Sequence, residues 1–185
     1  MPSPAASTVS ARGVLYRFRR SRGGSAAVEF ALVAPVFFAL LFAIIETGIM
    51  FFAGQVLESV TQNAARTILT GQTQNAGYGQ TAFKSNVVCP TGSLASMLFD
   101  CVNGVFIDVE SYSAFSSVVM SSQIDGSGNF INNMQYNPGG PRDIVVVRMF
   151  YQWPLFVTGL GYNIANLSGN KRLLYGTAAF QNEPY

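Results

Sequence analysis

Phe30 to Ala53 reads FALVAPVFFALLFAIIETGIMFFA, 24 residues with one charge, Glu46. At 1.5 Å per residue a helix of that length spans about 36 Å, enough for a hydrocarbon core of roughly 30 Å. The apolar character begins as early as Ser25, so residues 25–53 are expected to be a transmembrane helix. Pro35 removes one backbone bond to residue 31 and predicts a mild kink, which membrane helices tolerate. The charges on either side set the orientation. Five arginines (Arg12, Arg17, Arg19, Arg20, Arg22) and no acid precede Glu29, and the first cation after the span is Arg66. Basic flanks stay on the cytoplasmic side. The expectation is therefore a single pass, with the N-terminus inside and everything beyond about residue 54 outside.

The helical spacing continues past the membrane. Val56/Leu57, Val60, Ala64 and Ile68 recur every three to four residues, and Gly71 offers a stop. Residues 54–71 are thus expected to extend the helix outside the bilayer with an apolar stripe. Residues 71–80 read as a polar, Gly-rich link and 80–88 as a short helix. Three strands follow: Val105, Ile107 and Val109 alternating with Phe106, Asp108 and Glu110; the β-branched and aromatic run Ile144 to Trp153; and a weaker run, Arg172 to Gln181. Ser121 to Pro141 reads as a long loop. Residues 154–170 read as loop or short helix. Three strands alone are marginal, and the stripe over 56–68 is the obvious helix to cover one face. The fold class is α+β: a long N-terminal helix, half in the membrane, packed on a small antiparallel sheet. The domain plan is a basic leader over 1–24, the span, the extension and an α+β domain over 72–185.

Composition narrows function. Charged residues make up 11% of the 185-residue chain, against about 25% in an ordinary soluble domain. After Ser25 there are six Lys/Arg against nine Asp/Glu, net −3, which argues against nucleic-acid binding. Histidine is absent, which removes the commonest general base and metal ligand. Asp108 and Glu110 share a strand face, with Asp143 nearby. Such carboxylates do acid–base or cation chemistry in a minority of cases and otherwise form a solvated face. Ser111 to Ser122 holds no nucleophile elbow, and Gly126-Ser127-Gly128 is a turn without the Lys of a phosphate loop. The chain reads as a non-enzyme with no cofactor, metal or small-molecule substrate. Cys89 and Cys101 are either two free buried thiols or a disulfide. Flanking Pro90 and Gly92, and the lack of further ligands, favour the bridge, worth on the order of 3 kcal/mol. Glu46, about 24 Å along the helix from Phe30, is either solvated at the outer interface or paired with a partner's cation. Ala27, Ala31, Pro35, Ala39, Ala43 and Thr47 recur at every fourth position, which is either a small-residue ridge for packing against a partner helix or simply the abundance of small residues in membrane spans.

The junction Arg22-Gly23-Gly24-Ser25-Ala26-Ala27-Val28-Glu29-Phe30 joins a basic run, small residues and an apolar helix carrying one acid. Glu29 either sits solvated at the inner interface, helped by the helix dipole, or serves a cut chain. Cleavage after Gly24 makes Ser25 a charged amine and Glu29 the fifth residue, one turn away, within reach of a neighbouring subunit's amine. Gly24 followed by Glu29-Phe30 resembles the prepilin cleavage motif of type IV pilins. Gly24 to Arg66, with Ala34-Pro35, Ile45-Glu46-Thr47-Gly48 and Ala64-Ala65-Arg66, resembles the TadE-like family, minor pseudopilins of Tad (tight adherence, Flp) pili. The ending Phe180-Gln181-Asn182-Glu183-Pro184-Tyr185 is loosely similar to that family's acidic-Pro-aromatic tail. Phe30 stands where the major Flp pilin commonly has tyrosine, which together with length favours a minor pseudopilin.

The resemblance implies a pilin-like fold and a prepilin peptidase that cuts between Gly24 and Ser25. It implies roles for Glu29 and Phe30 in processing and assembly. It also implies partners among other pilins, pseudopilins and Tad inner-membrane assembly proteins, and a place in the bacterial inner membrane with a periplasmic domain or in the pilus. Gly23 is an alternative cut site, leaving Glu29 sixth. Two other readings stay open: an uncleaved bitopic protein with an extracytoplasmic protein-binding domain, and a secreted protein with a cleaved signal peptide. The second fits poorly, since the apolar run is too long and its small residues lie before it.

Overall fold

The computed structural model describes Tyr16, residues 24–158 and residues 162–185. Apart from Tyr16 and Gly24, the basic leader lies outside the described residues. Helix α1 runs Ser25–Leu69 with Pro35 inside it. The chain forms two compact units, one ending at Phe42 and one spanning Ala43–Tyr185.

In the first unit, α1 carries side chains that are almost all exposed, Val28, Phe30, Leu32, Val33, Val36 and Phe37 among them. Phe38 contacts Phe37 edge-on and stacks on Phe42, with ring centroids 5.5 and 6.3 Å apart.

The second unit is the α+β domain. The α1 residues Ala53, Val56, Leu57, Ala64, Ala65 and Ile68 are buried, which is the stripe expected over 56–68. The helix stops at Gly71, whose φ of 72° lies in the left-handed region that glycine adopts without penalty. A side chain there would also collide with the ring of Tyr185, 2.4 Å from an added Cβ. The link beyond is more regular than expected: Gln72–Asn75 forms a helical turn, α2. Next come α3 (Gln80–Phe83), a π turn (Lys84–Val88) and α4 (Leu94–Leu98). Ser93 caps α4 by accepting from the Ser96 amide. Cys89 and Cys101 form a disulfide that closes this segment.

Strands β1 (Val105–Tyr112), β2 (Ile144–Pro154) and β3 (Lys171–Gln181) make an antiparallel sheet in the order β1-β2-β3. Val109 pairs with Val147, and Val147 with Ala178. These residues, with Ile107 and Met149, join the core cluster that includes the α1 stripe. Gly176 belongs to the same face. An added Cβ there would lie 2.4 Å from Thr61 Oγ1 and 3.1 Å from Glu58 Cα, so the helix backbone rides directly on β3.

The opposite face is covered too, and this was not apparent beforehand. Phe130, from the long loop between β1 and β2, contacts Phe106 and Phe150 at 4.7 and 6.1 Å. Phe150, Leu167 and Leu173 form a second buried cluster with Ile124 and Met134. Covered on both faces, β2 is buried from Ile144 to Phe150, which is why it reads as a continuous apolar run rather than an alternation.

Both sheet edges are occupied in part. Along β1, the Val109 amide donates to the Gln135 carbonyl and the Asn137 amide donates back to Val109. Along β3, Glu58 accepts from the Thr177 amide and Gln62 donates to the Thr177 carbonyl. The chain's end fastens to the top of α1, where the Glu183 amide donates to the Leu69 carbonyl.

Candidate functional site

The candidate site is α1 itself, from its first turn to the point where the domain takes hold of it. Its first residue is Ser25, and Glu29 follows one turn later, about 6 Å along the axis. Gly24 is exposed and would accept a side chain without contact. Glu29 and Phe30 are exposed to solvent. Among the described residues one helix, Ala26–Leu69, is long and apolar enough to cross a membrane. Water is a poor solvent for that surface: isolated monomers rarely expose a contiguous apolar patch of such extent, and lipid or partner helices are its natural cover.

The small-residue ridge is not uniform. Ala27 and Ala31 are exposed and Ala39 is half-buried. Ala43, a candidate member of the ridge, is buried within this chain's own domain unit. One turn on, the Thr47 hydroxyl donates to the Ala43 carbonyl and makes a short contact with the Tyr162 hydroxyl. The loop after β2 has reached this part of the helix first.

Glu46 departs from both expectations. It is 9% exposed, neither solvated nor waiting for a foreign cation. One carboxylate oxygen accepts a short hydrogen bond from the Phe156 amide, and the other accepts from the Val157 amide at 3.0 Å. Charge-assisted bonds to two backbone amides satisfy a carboxylate that would otherwise be costly at this position.

Asp108 is corrected as well. It is 2% exposed, not part of a solvated face. Its Oδ2 accepts from Arg148 Nε at 3.0 Å and Nη2 at 2.6 Å, and Oδ1 accepts from the Gln135 amide at 2.8 Å. Arg148 also reaches Glu110 at 3.5 Å and the Ser121 carbonyl at 3.2 Å. With its acceptor sites filled by donors of its own domain, Asp108 has the arrangement of a structural tie between β1, β2 and the long loop. A signal was present: Arg148 is the lone charge in the run Ile144 to Trp153, and a buried guanidinium requires an acid. Among the described residues no group of three or more Cys, Asp or Glu side chains is placed to hold a metal.

The family comparison falls on the first part of this site. Residues 24–66 match the model of the family described as TadE-like protein. The chain carries a TadE-like segment. The match begins at Gly24, one residue before α1, and ends at Arg66, one turn before α1 closes. The sheet domain lies beyond it. No curated protein and no solved structure matches the chain. The TadE-like segment associates the chain with the Tad pilus context and with a membrane, in keeping with its one long apolar helix.

Proposed function

We propose that this protein is a minor pseudopilin of a Tad-type pilus: a structural, non-catalytic subunit anchored in the bacterial inner membrane through α1. The leader stays in the cytoplasm and the α+β domain lies in the periplasm. A prepilin peptidase cuts between Gly24 and Ser25. The new Ser25 amine and the carboxylate of Glu29 then serve assembly with other pilins and pseudopilins, a cation on one subunit meeting an anion on the next. At the mouth of a bilayer such a pair gains more from attraction than it does in bulk water.

The observation that carries this reading is a coincidence of boundaries. The TadE-like match starts at Gly24 and the helix starts at Ser25, so a cut there exposes an amine at a helix N-terminus one turn from Glu29. The test is mass spectrometry of the mature chain from cells with and without the peptidase. A chain starting at Ser25, only when the peptidase is present, is the expected result. A start at Met1 or Pro2 in both strains overturns the proposal in favour of an uncleaved bitopic protein with a binding domain outside. Glu29→Ala is expected to abolish piliation while leaving membrane insertion intact. Normal pili in that variant would remove the amine–carboxylate pair from the mechanism.

A further inference from the structure

We infer that residues 155–158, which follow β2 and carry the exposed Phe156, rest in the outer-leaflet interface of the bilayer as a second membrane contact beside α1. This inference rests on the reading of α1 as a membrane span. Phe156 is 84% exposed, more than any other large apolar side chain among the described residues.

Its place along the helix gives the depth. Glu46 holds the amides of Phe156 and Val157, and Thr47 meets Tyr162, so the segment is fastened to α1 at those residues. Ile49, Phe51 and Phe52 lie further toward the sheet and are all exposed. They sit about 3 to 9 Å beyond Glu46 and Thr47 at 1.5 Å per residue. A bilayer that covers Ile49 to Phe52 therefore also covers the level at which the segment is tied down. The sequence from Pro154 to Asn170 contains no charged residue, so nothing in it opposes that position.

The hydrogen bonding fits the same surroundings. Irregular backbone at membrane depth is tolerated only where its polar groups find partners. The Phe156 and Val157 amides have Glu46, and the Leu155 amide donates to the Asn170 carbonyl. The lone acid of the apolar run faces the converse demand, a carboxylate needing donors where water is scarce. The two requirements cancel. Trp153 and Tyr162 flank the segment as the half-buried amphipathic aromatics favoured at membrane–water boundaries.

Fluorescence of the full chain in phosphatidylethanolamine/phosphatidylglycerol vesicles, doped with phosphatidylcholine brominated high or low on its acyl chains, tests this. In a Trp153→Phe background three single-tryptophan reporters are compared: Phe156→Trp, Phe38→Trp in the span and Phe115→Trp on the exposed turn after β1. The expected result is about twofold quenching of Phe156→Trp by shallow bromines, deep quenching of Phe38→Trp and none of Phe115→Trp. If Phe38→Trp is quenched and Phe156→Trp is not, the second contact is refuted and the span stands. If Phe38→Trp escapes both bromines, the span reading fails and this inference falls with it. Protection of Phe156→Trp from both bromines and aqueous iodide would mean that a protein surface, not lipid, covers the segment, and would also overturn the inference.

Discussion

Replacing Asp108 with alanine isolates the contribution of the buried tie. Three donors lose their acceptor at once: two from the Arg148 guanidinium and the Gln135 amide. Arg148, 7% exposed, is then left with the longer 3.5 Å contact to Glu110 and the Ser121 carbonyl. Breaking a buried pair by removing one partner costs about 3–5 kcal/mol. Because Glu110 still gives Arg148 partial compensation, the loss should fall near the lower end, about 3 kcal/mol. For a domain of this size that corresponds to a drop in Tm on the order of 10 °C. Urea unfolding of the detergent-solubilised chain, followed through Trp153, measures it, with the m-value expected to hold. Asp108→Asn keeps an acceptor for Gln135 and should cost less. A double-mutant cycle with Arg148→Met should show coupling of roughly 2 kcal/mol. A loss under about 1 kcal/mol for Asp108→Ala, or additive single and double variants, would refute the reasoning that this pair ties the sheet to its covering loop.

Gly176→Ala should force α1 off β3, since the added carbon meets Thr61 and the Glu58 backbone; a loss of about 1–3 kcal/mol in the same urea assay is expected. Cys89→Ser removes a bridge between residues separated by 12 positions and should lower stability by about 3 kcal/mol relative to the oxidised chain, but not relative to the reduced one. Burial pushes the Tyr136 hydroxyl up to about 12 and also raises Tyr112 and Tyr185. A raised pKa means that the folded state holds its proton longer, so this stability is full below pH 10 and is lost as pH climbs through the folded values. Spectrophotometric titration at alkaline pH should find Tyr136 among the last phenols to ionise, with stability declining over the same range.

Features governed by local periodicity were legible in the sequence. The apolar run from Phe30, the stop at Gly71 and the stripe at Val56, Leu57, Ala64 and Ile68 gave α1, Ser25–Leu69, to within about two residues at its end. The strands were equally accessible, because β-branched and aromatic runs bounded by turn residues leave few alternatives. The features missed depend on partners far away in sequence. Asp108 finds Arg148 40 positions on, and Glu46 finds backbone amides 110 and 111 positions on. Backbone donors carry no side-chain signature, so nothing around Phe156 marks it as a partner for an acid in the apolar run. Phe130, which settles over the sheet, sits in a stretch whose glycines and prolines advertise only irregular backbone. In the candidate site, the likeness over Gly24 to Arg66 was legible in the sequence, whereas the contacts of Glu46 and Thr47 with the chain's own loop were not.

The side chains of Glu58 and Gln62 occupy the amide and carbonyl of Thr177 on the outer strand. Molecules confined to a membrane plane collide far more often than the same number free in solution, and a bare strand border is an invitation to stack into fibrils. A helix that donates two side chains to that border acts as a guard rail, leaving crowded copies to meet through other surfaces.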